Sequence, residues 1–159
     1  MNVLSRLNIA SDSGDWRARR LSNLSDDPFI LDGVRLASVE GFIQGIKFPV
    51  GDPLRKLAFL SVGMTAKRLS RQADRQSRWV WWNGREYPYG TFVHHKLIER
   101  AIRAKFEQNA RAMKALLGIG DSKLVHELGH SEGLRTSLPA TVFCDILTRI
   151  REETSRAVK

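Results

Sequence analysis

Cysteine is nearly absent from the 159-residue chain, and a single residue, Cys144, excludes an internal disulfide framework. That poverty fits a reducing compartment, so the expectation is an intracellular, cytoplasmic protein. No apolar run approaches the roughly 18–20 residues of a membrane span, and the N-terminus lacks the apolar stretch of a signal peptide. A membrane is therefore not an expected partner. Neither G-x-x-x-x-G-K-[S/T] nor G-x-G-x-x-G occurs, which removes the two common phosphate-cradling loops. Acidic residues are also few: 17 Asp and Glu stand against 26 Lys and Arg, for a net charge of +9.

What remains is the composition of a folded protein, 42% apolar and 27% charged. The length suits one domain and can bury roughly two-thirds of the unfolded surface. Between Lys67 and Arg111, eleven basic residues face four acidic ones, seven of the nine excess charges. A basic face favours nucleic acid, nucleotides or phosphorylated metabolites; the plainer alternative is a solvated surface.

Residues 1–20 read as a flexible or loosely packed arm, and 21–159 as the domain. Phe29–Leu31 and Val34–Leu36 flank Asp32-Gly33, the pattern of a tight hairpin. Ser38 suits an N-cap for a helix over 39–48, ended by Pro49 and Gly51. Further helices are expected at 53–61, at 65–73 behind Thr65, at 92–117 and at 139–155, with a loop or hairpin at 78–90. The stripe Ile98, Ile102, Phe106, Met113 and Leu117 predicts one continuous helix. The fold class is α+β: a mainly helical single domain around a small antiparallel sheet near the N-terminus.

Two clusters offer chemistry. His126-Glu127-Leu128-Gly129-His130 is a literal H-E-x-x-H, which on a helix can hold zinc through two histidines while the glutamate activates water. Its surroundings argue against it. Gly118, Gly120, Gly133 and Pro139 crowd the segment, and Thr136 stands where an extended motif has its third histidine. Cys144, among apolar neighbours on a helix, reads as a buried thiol. The second cluster is Glu40, Gln44 and Lys47, which share one face of the 39–48 helix and can line a polar pocket. Its ordinary reading is a solvated face with an acid in the first turn.

The order of these motifs resembles the NADAR or YbiA-like family from about Leu21 to Arg151. Leu21-Ser22-Asn23-Leu24 is similar to its opening S-N-F element. Ser38, Glu40, Gln44 and Lys47 match its S-x-E-x-x-x-Q-x-x-K signature. Ala66–Leu69 resembles its A-x-x-L-G-R helix, Arg100–Gln108 its long helix, Leu124-Val125 the strand that follows, and Ile146–Arg151 its closing segment. The chain departs from the family where a tryptophan precedes the long helix, here Tyr89-Gly90-Thr91-Phe92, and at the later D-x-x-W-G, here Ser131-Glu132-Gly133-Leu134.

The resemblance implies a YbiA-like fold and hydrolysis of an N-ribosyl bond, in a ribosylamino-pyrimidine phosphate or in ADP-ribosylated guanine. It implies no cofactor and no metal. Glu40 becomes the essential carboxylate, with Asn23, Gln44, Lys47 and Arg68 holding ribose and phosphate, and Trp82 of the inserted Trp79, Trp81 and Trp82 stacking the base. Its partner is a phosphorylated ribosyl or ADP-ribosyl compound, free or within modified nucleic acid. Two alternatives stand beside it: a non-catalytic module that binds nucleotide or ADP-ribose, and a zinc hydrolase built on His126, Glu127 and His130.

Overall fold

Ser38 does cap a helix, and that helix becomes the centre of the molecule. In the computed structural model, which describes residues 5–72, 78–127 and 136–158, α2 (Val39–Gly45) is buried along its whole length. The Ser38 hydroxyl accepts from the Gly41 amide at 3.0 Å and donates to the Ser61 carbonyl at 2.8 Å. One bond starts the helix, while the other ties it to the segment after α3 (Pro53–Phe59).

Gly41 and Gly45 let α3 lie directly against α2. A Cβ on Gly41 would collide with the carbonyl oxygens of Ala58 and Ser61, and one on Gly45 with the Phe59 ring. Helix α4 (Gly63–Arg68), continued by a 3-10 turn over Leu69–Arg71, packs on another side of α2. It begins two residues before the expected Thr65 and has no side-chain cap.

Among the described residues the strands form three separate two-stranded sheets rather than one. β2 (Phe29–Leu31) and β3 (Val34–Leu36) are the expected hairpin. β4 (Trp79–Trp82) and β5 (Arg85–Pro88) make a second one across Asn83-Gly84. Both turns hold two successive positive φ angles, 48° and 78°, which suits the right-handed twist of short hairpins.

The third sheet is parallel. β1 (Arg6–Asn8) pairs with β6 (Lys123–Val125), so the described part of the expected 1–20 arm, residues 5–20, packs against the domain. Ile9 is fully buried, and α1 (Trp16–Leu21) inserts Ala18 and Leu21 into the interior. Composition misled here because, within residues 5–20, only Ile9 and Ala18 are buried.

The predicted long helix is two helices, α5 (Phe92–Gln108) and α6 (Ala110–Gly118). Asn109 between them is extended, at φ −124° and ψ 99°, and its amide donates to the carbonyls of Pro28 and Lys105, each at 2.8 Å. The break shifts the helical phase, so Leu116 is fully buried while Leu117 is 37% exposed. α7 (Ala140–Ala157) closes the fold through Phe143, Ile146, Leu147 and Ile150. Buried Glu99 links α5 to α7, accepting from Arg103 at 3.0 Å and from Arg149, while Arg103 also pairs with Glu153 at 2.7 Å. Among the described residues no helix is long and apolar enough to cross a membrane.

Candidate active site

The polar stripe of α2 lies inside the molecule rather than on its surface. Glu40 is 8% exposed and Gln44 5%. They form a chain of bonds: Lys47 Nζ donates to Gln44 Oε1 at 2.8 Å, and Gln44 Nε2 donates to Glu40 Oε1 at 2.8 Å. The amide is thereby oriented by a cation on one side and a carboxylate on the other. Glu40 Oε2 has no protein partner among the described residues. The solvated-face reading of the stripe is overturned.

Glu40 and Gln44 form part of the wall of a cavity of about 240 Å³. Its other walls come from distant parts of the chain: Ser22, Asn23 and Leu24 after α1, Lys67 on α4, His126 after β6, and Thr136, Ser137, Leu138 and Ala140 at or just before the start of α7. Asn23 is fixed twice over. Its carbonyl accepts from the Glu40 amide at 2.9 Å, and the adjoining Ser22 carbonyl accepts from buried Lys105 at 2.9 Å. Lys105 also donates to the Arg20 carbonyl at 2.8 Å, so it caps the end of α1 from below.

Lys47 does not line this cavity; it acts on it through Gln44. Burial pushes its ammonium down to about 8, with the charge of Glu40 opposing the fall. Its ammonium stands 6.0 Å from the Tyr89 ring centroid, and the Tyr89 hydroxyl is 3.1 Å from Ser137 Oγ on the cavity wall. His94, fully buried behind Tyr89, accepts from the Gly90 amide through Nδ1 at 3.0 Å. Burial, then the nearby His95 and Lys47, push it down to about 4, so it is neutral at physiological pH.

Two expected contributors lie elsewhere. Arg68 is exposed and not among the cavity residues; Lys67, one position earlier, takes that side of α4. Trp82 is 2% exposed in the core, edge-on to Phe42 at 5.0 Å and to Phe59 at 5.7 Å. Its indole donates to Asp32 at 2.8 Å, a carboxylate that Arg100 also binds at 2.7 Å and that these partners hold below the usual range. Trp82 is a packing residue, because the pleat of β4 turns it inward together with Val80.

The H-E-x-x-H segment is not a helix where it is described. His126 and Glu127 follow the end of β6, and His130 lies outside the described residues, as does Ser131-Glu132-Gly133-Leu134. Glu127 is paired with Arg6 at 2.7 Å on the surface. His126 donates from Nδ1 to the Ile9 carbonyl at 2.6 Å and meets Phe143 edge-on at 5.7 Å. The described geometry gives no helical face to a zinc pair. It makes His126 a wall of the Glu40 cavity instead, a role the motif search did not suggest. Cys144 is buried, and its thiol is pushed up to about 11 by that burial.

The model of the bacteriophage protein GP30.3 family matches residues 15–152, nearly the whole chain. The chain belongs to that family. A 17.1 kDa protein of Enterobacteria phage T4, from the Gp30–rIII intergenic region, is 29% identical over 154 residues, covering 94% of this chain and 99% of its own. N-glycosidase YbiA of Escherichia coli K12 is 27% identical over 123 residues, covering 77% of this chain and 68% of its own. The NMR structure of E. coli YbiA superposes with a TM-score of 0.65 at 20% identity, over 98% of this chain and 91% of that one. The GP30.3 family is therefore a relative of the NADAR, YbiA-like proteins. The resemblance and the mainly helical α+β fold read from the sequence are both borne out.

Proposed function

We propose that this GP30.3-family protein is an N-glycosidase that uses Glu40 to hydrolyse the N-ribosyl bond of a ribosylamino-pyrimidine phosphate or of ADP-ribosylated guanine. The observation that carries the reading is the Lys47–Gln44–Glu40 chain, which sets one buried carboxylate on a cavity wall with an oxygen free of partners among the described residues. The relationship to the YbiA N-glycosidases supports the reaction class.

In this mechanism the C1′–N bond breaks and its electron pair stays on the base nitrogen, which takes up a proton. Positive charge develops at C1′, and the Glu40 carboxylate stabilises it. Water adds to C1′ and yields its proton to Glu40, which passes it on to the departing base nitrogen, leaving a ribosyl hydroxyl and an ionised carboxylate again. Gln44 holds the carboxylate in one rotamer, Lys47 keeps Gln44 oriented, and Asn23 and Lys67 are placed to meet ribose hydroxyls and phosphate. No step calls on a metal.

The test is chromatographic release of free base from both substrate types in excess EDTA. Glu40→Gln should lower turnover at least about 100-fold while leaving the melting temperature within about 2 °C. Wild-type turnover in that variant would overturn the reading. Ligand binding without base release would favour a nucleotide-binding module, the alternative suggested by the departures at Tyr89-Gly90-Thr91-Phe92 and Ser131-Glu132-Gly133-Leu134.

A further inference from the structure

Two cavities outside the Glu40 site meet at one exposed tryptophan. The first, about 390 Å³, includes Trp16, Arg19, Arg20, Leu24, Met64 and Arg111 in its wall. The second, about 560 Å³, lies along α6 and shares Trp16 and Arg111 while adding Lys114. Trp16 is 38% exposed, and the Arg111 guanidinium sits 5.9 Å from its ring centroid. No carboxylate contributes to either wall among the described residues.

The cations differ in their freedom. Arg20 is paired with Asp27 at 3.3 Å, and Arg19 donates to the Ser13 carbonyl at 2.6 Å. Arg111 and Lys114 have no ion pair among the described residues. They stand three positions apart on α6, which presents them side by side on one helix face. Leu24 walls both the Trp16 cavity and the Glu40 cavity, so the loop after α1 is a ridge between the two.

We propose that Trp16, Arg111 and Lys114 form a cradle for a single strand of nucleic acid, with a base stacked on Trp16 and phosphates against the two cations. A partly exposed indole with one cation over its ring and a second nearby, neither ion-paired among the described residues, suits a single strand bound without reading sequence. An acidic peptide would satisfy the charge but leave the indole face unused, and a lipid surface would meet one aromatic ring among cations rather than an apolar rim. The first cavity has the size of a site for one nucleotide. A strand held there reaches across Leu24 toward Glu40. That last connection rests on the glycosidase reading; the cradle itself does not.

The experiment measures fluorescence anisotropy of an unmodified, labelled single-stranded oligodeoxynucleotide of about eight nucleotides, titrated with the full chain at several salt concentrations. Trp16→Leu should weaken binding about tenfold, and Trp16→Phe should restore most of it. Arg111→Gln should weaken binding and lower the salt slope by about 0.7, the value for one lost phosphate contact on a single strand. Arg35→Gln, which removes an equal charge on β3 away from both cavities, should leave the slope nearly unchanged.

Equal effects of the two arginine variants, an unaffected Trp16→Leu, or equally tight binding of an oligoglutamate peptide would each overturn the cradle. Circular dichroism of each variant checks that the fold is kept. Strand binding without base release would overturn the glycosidase reading alone, and base release without strand binding would overturn the cradle alone.

Discussion

Glu40 and Trp82 show how little a residue's type says about its task until its neighbours are known. Glu40 sits in the first turn of a helix, where an acid is ordinary, yet it is buried on a cavity wall and an amide orients it. Trp82 belongs to a tryptophan-rich insertion that invites a stacking role, yet it fills the core between Phe42 and Phe59. Trp82→Leu should therefore cost about 3 kcal/mol of stability, as loss of a large buried aromatic does. The KM for substrate of the folded fraction should be unchanged. Urea denaturation and steady-state kinetics check the two halves separately, and a raised KM at unaltered stability would return Trp82 to the binding site.

Among the elements, α2 carries the site and the α2–α3 contact sets its depth. Helix-interior glycine normally weakens a helix by about 1 kcal/mol relative to alanine. At Gly41 the added methyl would meet two backbone carbonyls that cannot turn away, whereas at Gly45 it would meet a ring that can shift. Gly41→Ala should then destabilise by about 1–3 kcal/mol, and Gly45→Ala by less. Thermal melts of the two variants would show the order, and the reverse order would mean that α3 yields as a unit. The start of α2 was legible because Ser38 offers a side-chain cap. The break at Asn109 was not, since its cause is a bond to Pro28, 81 residues away.

Across the whole molecule, the buried titratable groups set how stability follows pH. Lys105 and Lys47 are held at about 7 and about 8 by burial, below the ordinary 10.5, and His94 at about 4, below 6.5. In each case the unfolded chain binds more protons than the folded one between the two values, so stability rises with pH across that window. The urea midpoint should climb as pH rises from about 4 to 6.5 through His94, and again from about 7 toward 9 through the lysines. Cys144, pushed up to about 11 from 9.0, works in the opposite direction above about 9. Lys47→Met should make the alkaline rise shallower above about 8, with the Lys105 contribution remaining. A midpoint equally steep in that variant would place the effect elsewhere.

The sequence by itself determined what depends on near neighbours along the chain: the tight hairpin at Asp32-Gly33, the Ser38 cap, the helical character of most of the chain, and the ordered Ser38, Glu40, Gln44, Lys47 signature. Those features follow from local dihedral preference, capping and side-chain period. Only the tertiary structure decided which faces meet. It buried the Glu40 stripe, brought Asn23, Lys67, His126 and Ser137 around it, turned Trp82 into the core and placed Trp16 beside Arg111. Those outcomes depend on contacts between residues far apart in sequence, which no local period encodes.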